Sequence, residues 1–330
     1  MTPLDLRNPS RRQVVLGAGA TSAGAALLTS RAANAAAPLL GTQVPGWYRF
    51  KVGDFECTVV SDGPLAPTPV QALYPPIMED EFAKLLTERF QPGRLLFDQN
   101  ALVVNTGRDL VLFDTGGGTI RPLGPKTGQL LGNLHAASID PAQIDTVVIT
   151  QAHADHCWAL MAGEGRPTFP NAKVVISKED FDYWTDEARM SSNELLKTLI
   201  SVNRRHLLPV RDRTTFIEDG REVVPGITAM ATPGHTVGHM SFVIGSGSSA
   251  LMLTADVVHH FVLSLERPRR PFSSDTDAQE AIKTRVRVLD MLASSRMPAL
   301  VYHFPFPGLG NVSKVGEGYM WHPAPWQVAL

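Results

Sequence analysis

The segment Thr150-Gln151-Ala152-His153-Ala154-Asp155-His156 sets His153, Asp155 and His156 within four residues of one another. Imidazole nitrogens and a carboxylate oxygen are ligands suited to Zn2+ and similar first-row ions. On its own this cluster could be a polar loop. Three later segments add His235 in Thr232-Pro233-Gly234-His235-Thr236-Val237-Gly238-His239, Asp256 in Thr254-Ala255-Asp256, and His303 after the apolar run 299–302. A catalytic ion takes about three protein ligands and keeps a position open, and a pair of ions also needs a carboxylate able to bridge them. His153, Asp155, His156, His235, Asp256 and His303 exceed the needs of one ion. The expected chemistry is that of a metal-bound hydroxide, because coordination lowers the pKa of water from about 15.7 towards about 7. Such a hydroxide attacks an electrophilic carbon or phosphorus while the metal polarises the oxygen that gains charge. Asp155 or Asp256 is the candidate to move the proton, and no separate base is required.

These residues need strands behind them, since ligands from distant sequence converge when each sits at a strand end. The β-branched run Val147-Val148-Ile149 reads as a buried strand feeding the first cluster. Residues 227–231, 251–253 and 299–302 read as strands delivering the other three. Hairpins are expected at 48–60 around Gly53-Asp54 and at 101–113 around Gly107-Arg108, the second ending in Asp114 and a glycine run. A carboxylate at that strand end is placed to orient a ligand histidine. Helical spacing marks 79–90, 129–137, 178–184, 193–206 and 275–292. Hairpins first and looser alternation later point to an α+β chain of mixed sheets covered by helices.

The chain has 330 residues, 44% of them hydrophobic, enough for a packed core without staples. A net charge of -2 gives no reason to expect nucleic acid or an anionic membrane as partner, which leaves a small molecule. Cys57 and Cys157 are the two cysteines, too few for a disulfide framework. The N-terminal Ser10-Arg11-Arg12-Gln13-Val14-Val15-Leu16, the small apolar stretch 17–28 and Ala33-Asn34-Ala35 follow the order of a twin-arginine export signal. Residues 1–35 are therefore expected to be removed, leaving 36–330 as a single periplasmic catalytic domain.

The ligand spacing resembles that of metallo-β-lactamase-fold hydrolases, whose pattern is His-x-His-x-Asp-His, a later His, a bridging Asp and a final His. Pro233-Gly234-His235-Thr236-Val237-Gly238-His239, Thr254-Ala255-Asp256-Val257 and His303-Phe304-Pro305-Phe306-Pro307-Gly308-Leu309-Gly310 look like the methyl parathion hydrolase, lactonase and arylesterase branch. The resemblance implies an αββα sandwich with the metal site at one edge, and a homodimer. It also implies two ligand sets sharing Asp256, one of Asp155, His156 and His303, the other of Gln151, His153 and His235. Gln151 stands where the pattern has its first His, so it is a weak ligand or an orienting neighbour. One or two zinc ions are expected, the second held more weakly. The substrate class implied is an ester, lactone or organophosphate triester. Hydrolytic dehalogenation of a haloaromatic and metal binding with little catalysis are the alternatives, since a fold hosts many chemistries.

The remaining candidates stand further from the reaction. His239 reads as an orienting or structural residue, and His259 and His260 as packing or surface residues at least as readily as site-lining ones. Cys157 is expected to face the core, away from the ions. Trp158, Trp184, Phe261, Phe304 and Phe306 are the candidate aromatic walls of an apolar substrate pocket.

Overall fold

In the computed structural model, residues 39–74, 79–118, 123–191 and 193–330 are described. The export-signal expectation for 1–35 lies outside them. The chain divides into Met1–Gln43, whose described residues 39–43 are exposed coil, and Val44–Leu330, which carries everything below.

In order the elements are β1 (Trp47–Val52), β2 (Phe55–Ser61), β3 (Thr68–Pro69), α1 (Val70–Leu73), α2 (Glu79–Glu88), β4 (Arg94–Leu95), β5 (Asn100–Asn105), β6 (Leu110–Phe113) and α3 (Leu130–Ala136). There follow β7 (Thr146–Val148), α4 (Ala154–Cys157), β8 (Lys173–Ser177), α5 (Lys178–Thr185), α6 (Glu194–Leu207), β9 (Thr214–Ile217), β10 (Glu222–Val224), β11 (Ile227–Ala231) and β12 (Met240–Ser246). The chain closes with β13 (Ser249–Ala255), α7 (Leu263–Glu266), α8 (Ala278–Ser295), β14 (Ala299–Val301), β15 (Leu309–Val315) and β16 (Gly318–Pro323). One seven-stranded sheet has the order β1-β2-β5-β6-β7-β8-β9 and the other β10-β11-β12-β13-β14-β15-β16. The first is antiparallel up to β6 and parallel from there to β9. The second is antiparallel except for the parallel pair β13 and β14.

Period-two alternation explains the layering. On β5, Leu102 and Val104 join Phe113, Val148, Phe242, Leu253 and Leu300 in a core shared by both sheets. Their neighbours Ala101 and Val103 face the other way, onto Leu134, Phe181, Ile200 and Leu207 of the helices on the first sheet. Val288, Leu289 and Leu292 of α8 cover Met252, Ala299 and Val301 on the outside of the second sheet. The result is the expected αββα sandwich. A further apolar group of Val70, Tyr74, Phe82, Leu86, Phe97, Leu263 and Phe272 joins α1 and α2 to the loops after β4 and β13.

Several boundaries shift for local reasons. The buried strand expected to run through Ile149 ends at Val148, and Thr150 turns to donate its N–H to Asp114 at 2.8 Å. The helix expected from 275 starts at Ala278, where Asp277 caps it by accepting from Gln279 and Glu280. That leaves Asp275 in a loop. The hairpin β15–β16 was not expected, since glycines and polar residues in 309–318 blur its alternation. Among the described residues no helix is long and apolar enough to cross a membrane.

Candidate metal centre

The candidate ligands sit in the segments that follow strands, and hydrogen bonds aim the imidazoles of His156, His235 and His303 inward. Asp114 follows β6 with a positive φ of 60° and accepts from the Thr150 hydroxyl and from His156 Nδ1, both at 2.8 Å. The short helix α4 carries Asp155 and His156, and the Thr115 N–H donates to its His156 carbonyl at 2.7 Å. Tyr302 closes the other side, stacking on the His156 ring at 4.1 Å and donating its hydroxyl to the Asp155 carbonyl. His303 gives its Nδ1 to the Asp98 carbonyl at 2.9 Å. His235 gives its Nδ1 to Asp275 at 2.9 Å, and Arg285 pairs with that carboxylate from behind at 3.2 Å.

A carboxylate or carbonyl only accepts, so Nδ1 of His156, His235 and His303 carries a proton, and Nε2 is the atom each ring turns towards Asp256. Those three Nε2 atoms meet at one point: they lie 3.3, 3.3 and 3.2 Å from Asp256 Oδ2. His259 Nε2 is 3.4 Å from the same oxygen, and His153 Nδ1 is 3.1 Å from His235 Nε2. Asp155 Oδ2 stands 3.4 Å from His303 Nε2 and 3.7 Å from His156 Nε2. Among the described residues His156 Nε2 and Asp256 Oδ1 have no hydrogen-bond partner although buried. Imidazoles gathered on one carboxylate oxygen need protons or a metal ion between them, and the donors here are those that Zn2+ accepts. Two sets can each hold an ion: Asp155, His156 and His303, and His235, Asp256 and His259.

The charges agree with this geometry. Burial works against the Asp256 carboxylate, yet His303 and His156 outweigh it and hold its pKa well below the usual range. His235 is likewise disfavoured by burial but is pushed up to about 9 by its bonds to Asp256 and Asp275, so its Nε2 holds a proton that a metal ion would displace. Burial takes His259 down to about 4 and His239 down to about 3. His239 is thus neutral, its Nδ1 near Thr232 Oγ1 at 2.8 Å and its Nε2 accepting the Asp256 N–H at 3.0 Å. It fixes the backbone of the central carboxylate and does not face the cavity. Gln151 is fully buried and donates its side-chain N–H to Asp256 Oδ2 at 2.7 Å.

Over the ions' position lies a cavity of about 150 Å³ lined by His153, Asp155, His235, Asp256, His259 and His303 on its floor and Leu65, Leu73, Phe97 and Phe272 on its walls. The expected aromatic walls lie elsewhere. Trp158 donates to Asn203 at 2.6 Å and borders a separate cavity with Met161 and His206. Trp184 packs edge-on behind His153 at 5.0 Å. Phe304 alternates away from His303 and packs on Trp321, Phe261 lies against His260, and Phe306 faces solvent. Cys157 turns from the ions towards the His153 carbonyl and Asn203.

Residues outside the motifs hold the site together. The buried Asp180 accepts from the Ala152 N–H at 2.8 Å, the Thr236 hydroxyl at 2.8 Å and the Gly238 N–H at 2.6 Å, tying two ligand loops to α5. Gly234 has φ +127° and lies where a Cβ would come within 2.2 Å of the Ala281 nitrogen, so the backbone just before His235 packs directly on the first turn of α8. Asp180 could have been suspected from its place in the first turn after the cap Ser177. Asp275, Asp98 and the wall residues carry no such signal.

Two mixed sheets face to face, helices outside, and strand-end imidazoles gathered round one carboxylate define a class of metal-binding sandwich. The chain belongs to the metallo-beta-lactamase superfamily, whose sequence profile matches residues 94–293. In sequence it is 29% identical over 140 residues to an N-acyl homoserine lactonase of Bacillus sp., covering 42% of this chain and 48% of that protein. An N-acyl homoserine lactonase, AttM, of Azorhizobium caulinodans is 28% identical over 134 residues, 39% of this chain and 47% of that one. The chain thus spans about half the length of the curated relatives it matches. In structure it is similar to AidC, a dizinc quorum-quenching lactonase in complex with a product, with TM-score 0.80, 28% identity, 86% of this chain and 98% of the other covered. The hydrolase AbOPH matches with TM-score 0.81 and 26% identity over 87% of this chain and 100% of its own.

Proposed function

We propose that this protein is a metal-dependent hydrolase that opens lactones bearing an apolar acyl group. The carrying observation is the meeting of the His156, His235 and His303 Nε2 atoms on Asp256 Oδ2 at the floor of an apolar-walled cavity. Asp155, His156 and His303, with Asp256 beside them, would hold one ion. When bound, a divalent ion supplies Lewis acidity that acidifies water and polarises the acyl oxygen. The chain's own groups do the rest. Leu65, Leu73, Phe97 and Phe272 take the acyl chain and keep bulk water from the ring. Asp155, which borders the cavity, takes a proton as water adds to the ring carbonyl carbon. It returns that proton to the ring oxygen as the C–O bond breaks, giving the open hydroxy acid. Asp114, Asp275 and the Asp98 carbonyl keep the imidazoles aimed throughout.

The lactonase relatives favour this substrate class over phosphotriesters and haloaromatics. The test is turnover of an acyl homoserine lactone, an aryl ester, a phosphotriester and a haloaromatic, each with and without chelator. Lactone opening that chelator abolishes and zinc restores is the expected result. No lactone turnover by zinc-loaded protein refutes it. The N-terminal residues 1–35 are proposed to export the chain to the periplasm.

A further inference from the structure

His259 stands in none of the strand-end motifs, yet its surroundings are those of a ligand. Its side chain is 3% exposed, and neither ring nitrogen has a hydrogen-bond partner among the described residues. A buried imidazole with both nitrogens unpaired forfeits two interactions that water would supply, so something else must use them. Its Nε2 points at Asp256 Oδ2 from 3.4 Å, beside the Nε2 of His235 on the same oxygen. The ring is clamped by stacking on Phe272 at 4.0 Å and 21° and lies 4.5 Å from the His235 ring. Gln151 commits its Nε2 to Asp256 Oδ2 at 2.7 Å, which fixes that carboxylate, while its Oε1 is likewise buried without a partner.

We infer that His259, with His235 and Asp256, holds the second ion of this centre, and that Gln151 is a positioning residue for Asp256. The inference rests on the metallohydrolase reading above. It adds an imidazole to the expected second set of Gln151, His153 and His235, in which His153 Nδ1 stands 3.1 Å from His235 Nε2. The i,i+3 spacing of Asp256 and His259 lets a single turn supply both the bridging carboxylate and the third donor.

The experiment uses the full-length chain, stripped and titrated with Co2+, reading bound ions per chain by elemental analysis and the visible d–d bands. Wild type is expected to take two ions. His259→Ala is expected to weaken one of them by a hundredfold or more, and Gln151→Ala by no more than a few-fold. His259→Cys gives a signature that mere misfolding cannot: a thiolate-to-cobalt charge-transfer band that appears with the second equivalent. The inference is overturned if His259→Ala keeps two ions at wild-type affinity, if Gln151→Ala is the variant that loses one, or if His259→Cys binds two ions without that band. A chain that binds no cobalt at all refutes the metallohydrolase reading instead.

Discussion

Asp275 is the most exacting test of how the site is built, because it serves two partners at once. Its side chain is fully buried, accepts from His235 Nδ1 at 2.9 Å and pairs with Arg285 at 3.2 Å. Asp275→Asn keeps the shape and removes the charge. Arg285 is 2% exposed and would keep the carbonyls of Val257 at 3.1 Å, Pro268 at 3.1 Å and Arg270 at 2.9 Å. Breaking a buried pair from one side costs about 3–5 kcal/mol, and those three dipoles place the loss near the lower end, about 3 kcal/mol. This loss does not depend on metal. On the ion side, an orienting carboxylate contributes about 10–100-fold in affinity, or about 1.4–2.7 kcal/mol. Urea unfolding in chelator should show the first loss alone, and unfolding in excess zinc should show both. The sign with pH follows. Burial opposes the Asp275 charge, but the bond to His235 and the nearby Arg285 hold its pKa below the usual value. Its stabilisation is therefore present above about pH 4 and lost as pH falls through the depressed folded value. The gap between wild type and variant should narrow in acid. A stripped Asp275→Asn protein within about 1 kcal/mol of wild type at neutral pH would refute the reasoning.

Three further outcomes are expected. Leu73→Trp, which fills one wall of the cavity, should raise KM for a long-acyl lactone by roughly tenfold and leave a short-acyl one nearly unchanged, as steady-state kinetics on the two would show. Burial raises Asp62 to about 6 against the N–H groups of Leu130, Gly128 and Gly117, which lower it. A raised folded pKa means its contribution is fully present below about pH 4 and lost as pH rises to about 6. That loss is up to about 3 kcal/mol, read as the difference in denaturation profiles between wild type and Asp62→Asn. Gly234→Ala forces a Cβ to 2.2 Å from the Ala281 nitrogen at φ +127°. It should lower stability by about 2 kcal/mol or more and reduce metal occupancy with it, measured by thermal unfolding and elemental analysis.

The sheets and the ligand loops were legible because their signals are local. Alternation on Leu102 and Val104, breakers at Gly53-Asp54 and Gly107-Arg108, and polar residues directly after apolar runs each declare themselves within a few residues. What stayed hidden depends on contacts between distant segments. Phe97 and Phe272 are ordinary apolar residues until α1, α2 and the loop before α8 pack together around the cavity. Phe304 and Trp158 looked like wall residues because they adjoin ligands. A neighbour in an extended chain points the opposite way, however, and Trp158 finds its partner in Asn203 on α6. His259 was passed over for a related reason: its meaning lies in two unpaired nitrogens, which no spacing reveals.

The buried carboxylates also bear on what happens when the ions are withdrawn. Asp114 and Asp180 each accept backbone N–H groups from a ligand loop: Thr150 for Asp114, Ala152 and Gly238 for Asp180. Hydrogen bonds to ionised acceptors contribute about 1.5–3 kcal/mol each. The loops are thus fixed by protein contacts, and two shared sheets stand behind them. Small structural zinc domains differ, since there the ion's binding energy is the folding energy. The metal-free chain should therefore keep its fold, with far-UV circular dichroism unchanged and a cooperative melt. Zinc should raise that melt only by the mass-action term RT ln(1 + [L]/Kd), about 2.7 kcal/mol at a hundredfold excess over Kd. Loss of secondary structure on chelation would show that the ions, and not Asp114 and Asp180, hold the ligand loops in place.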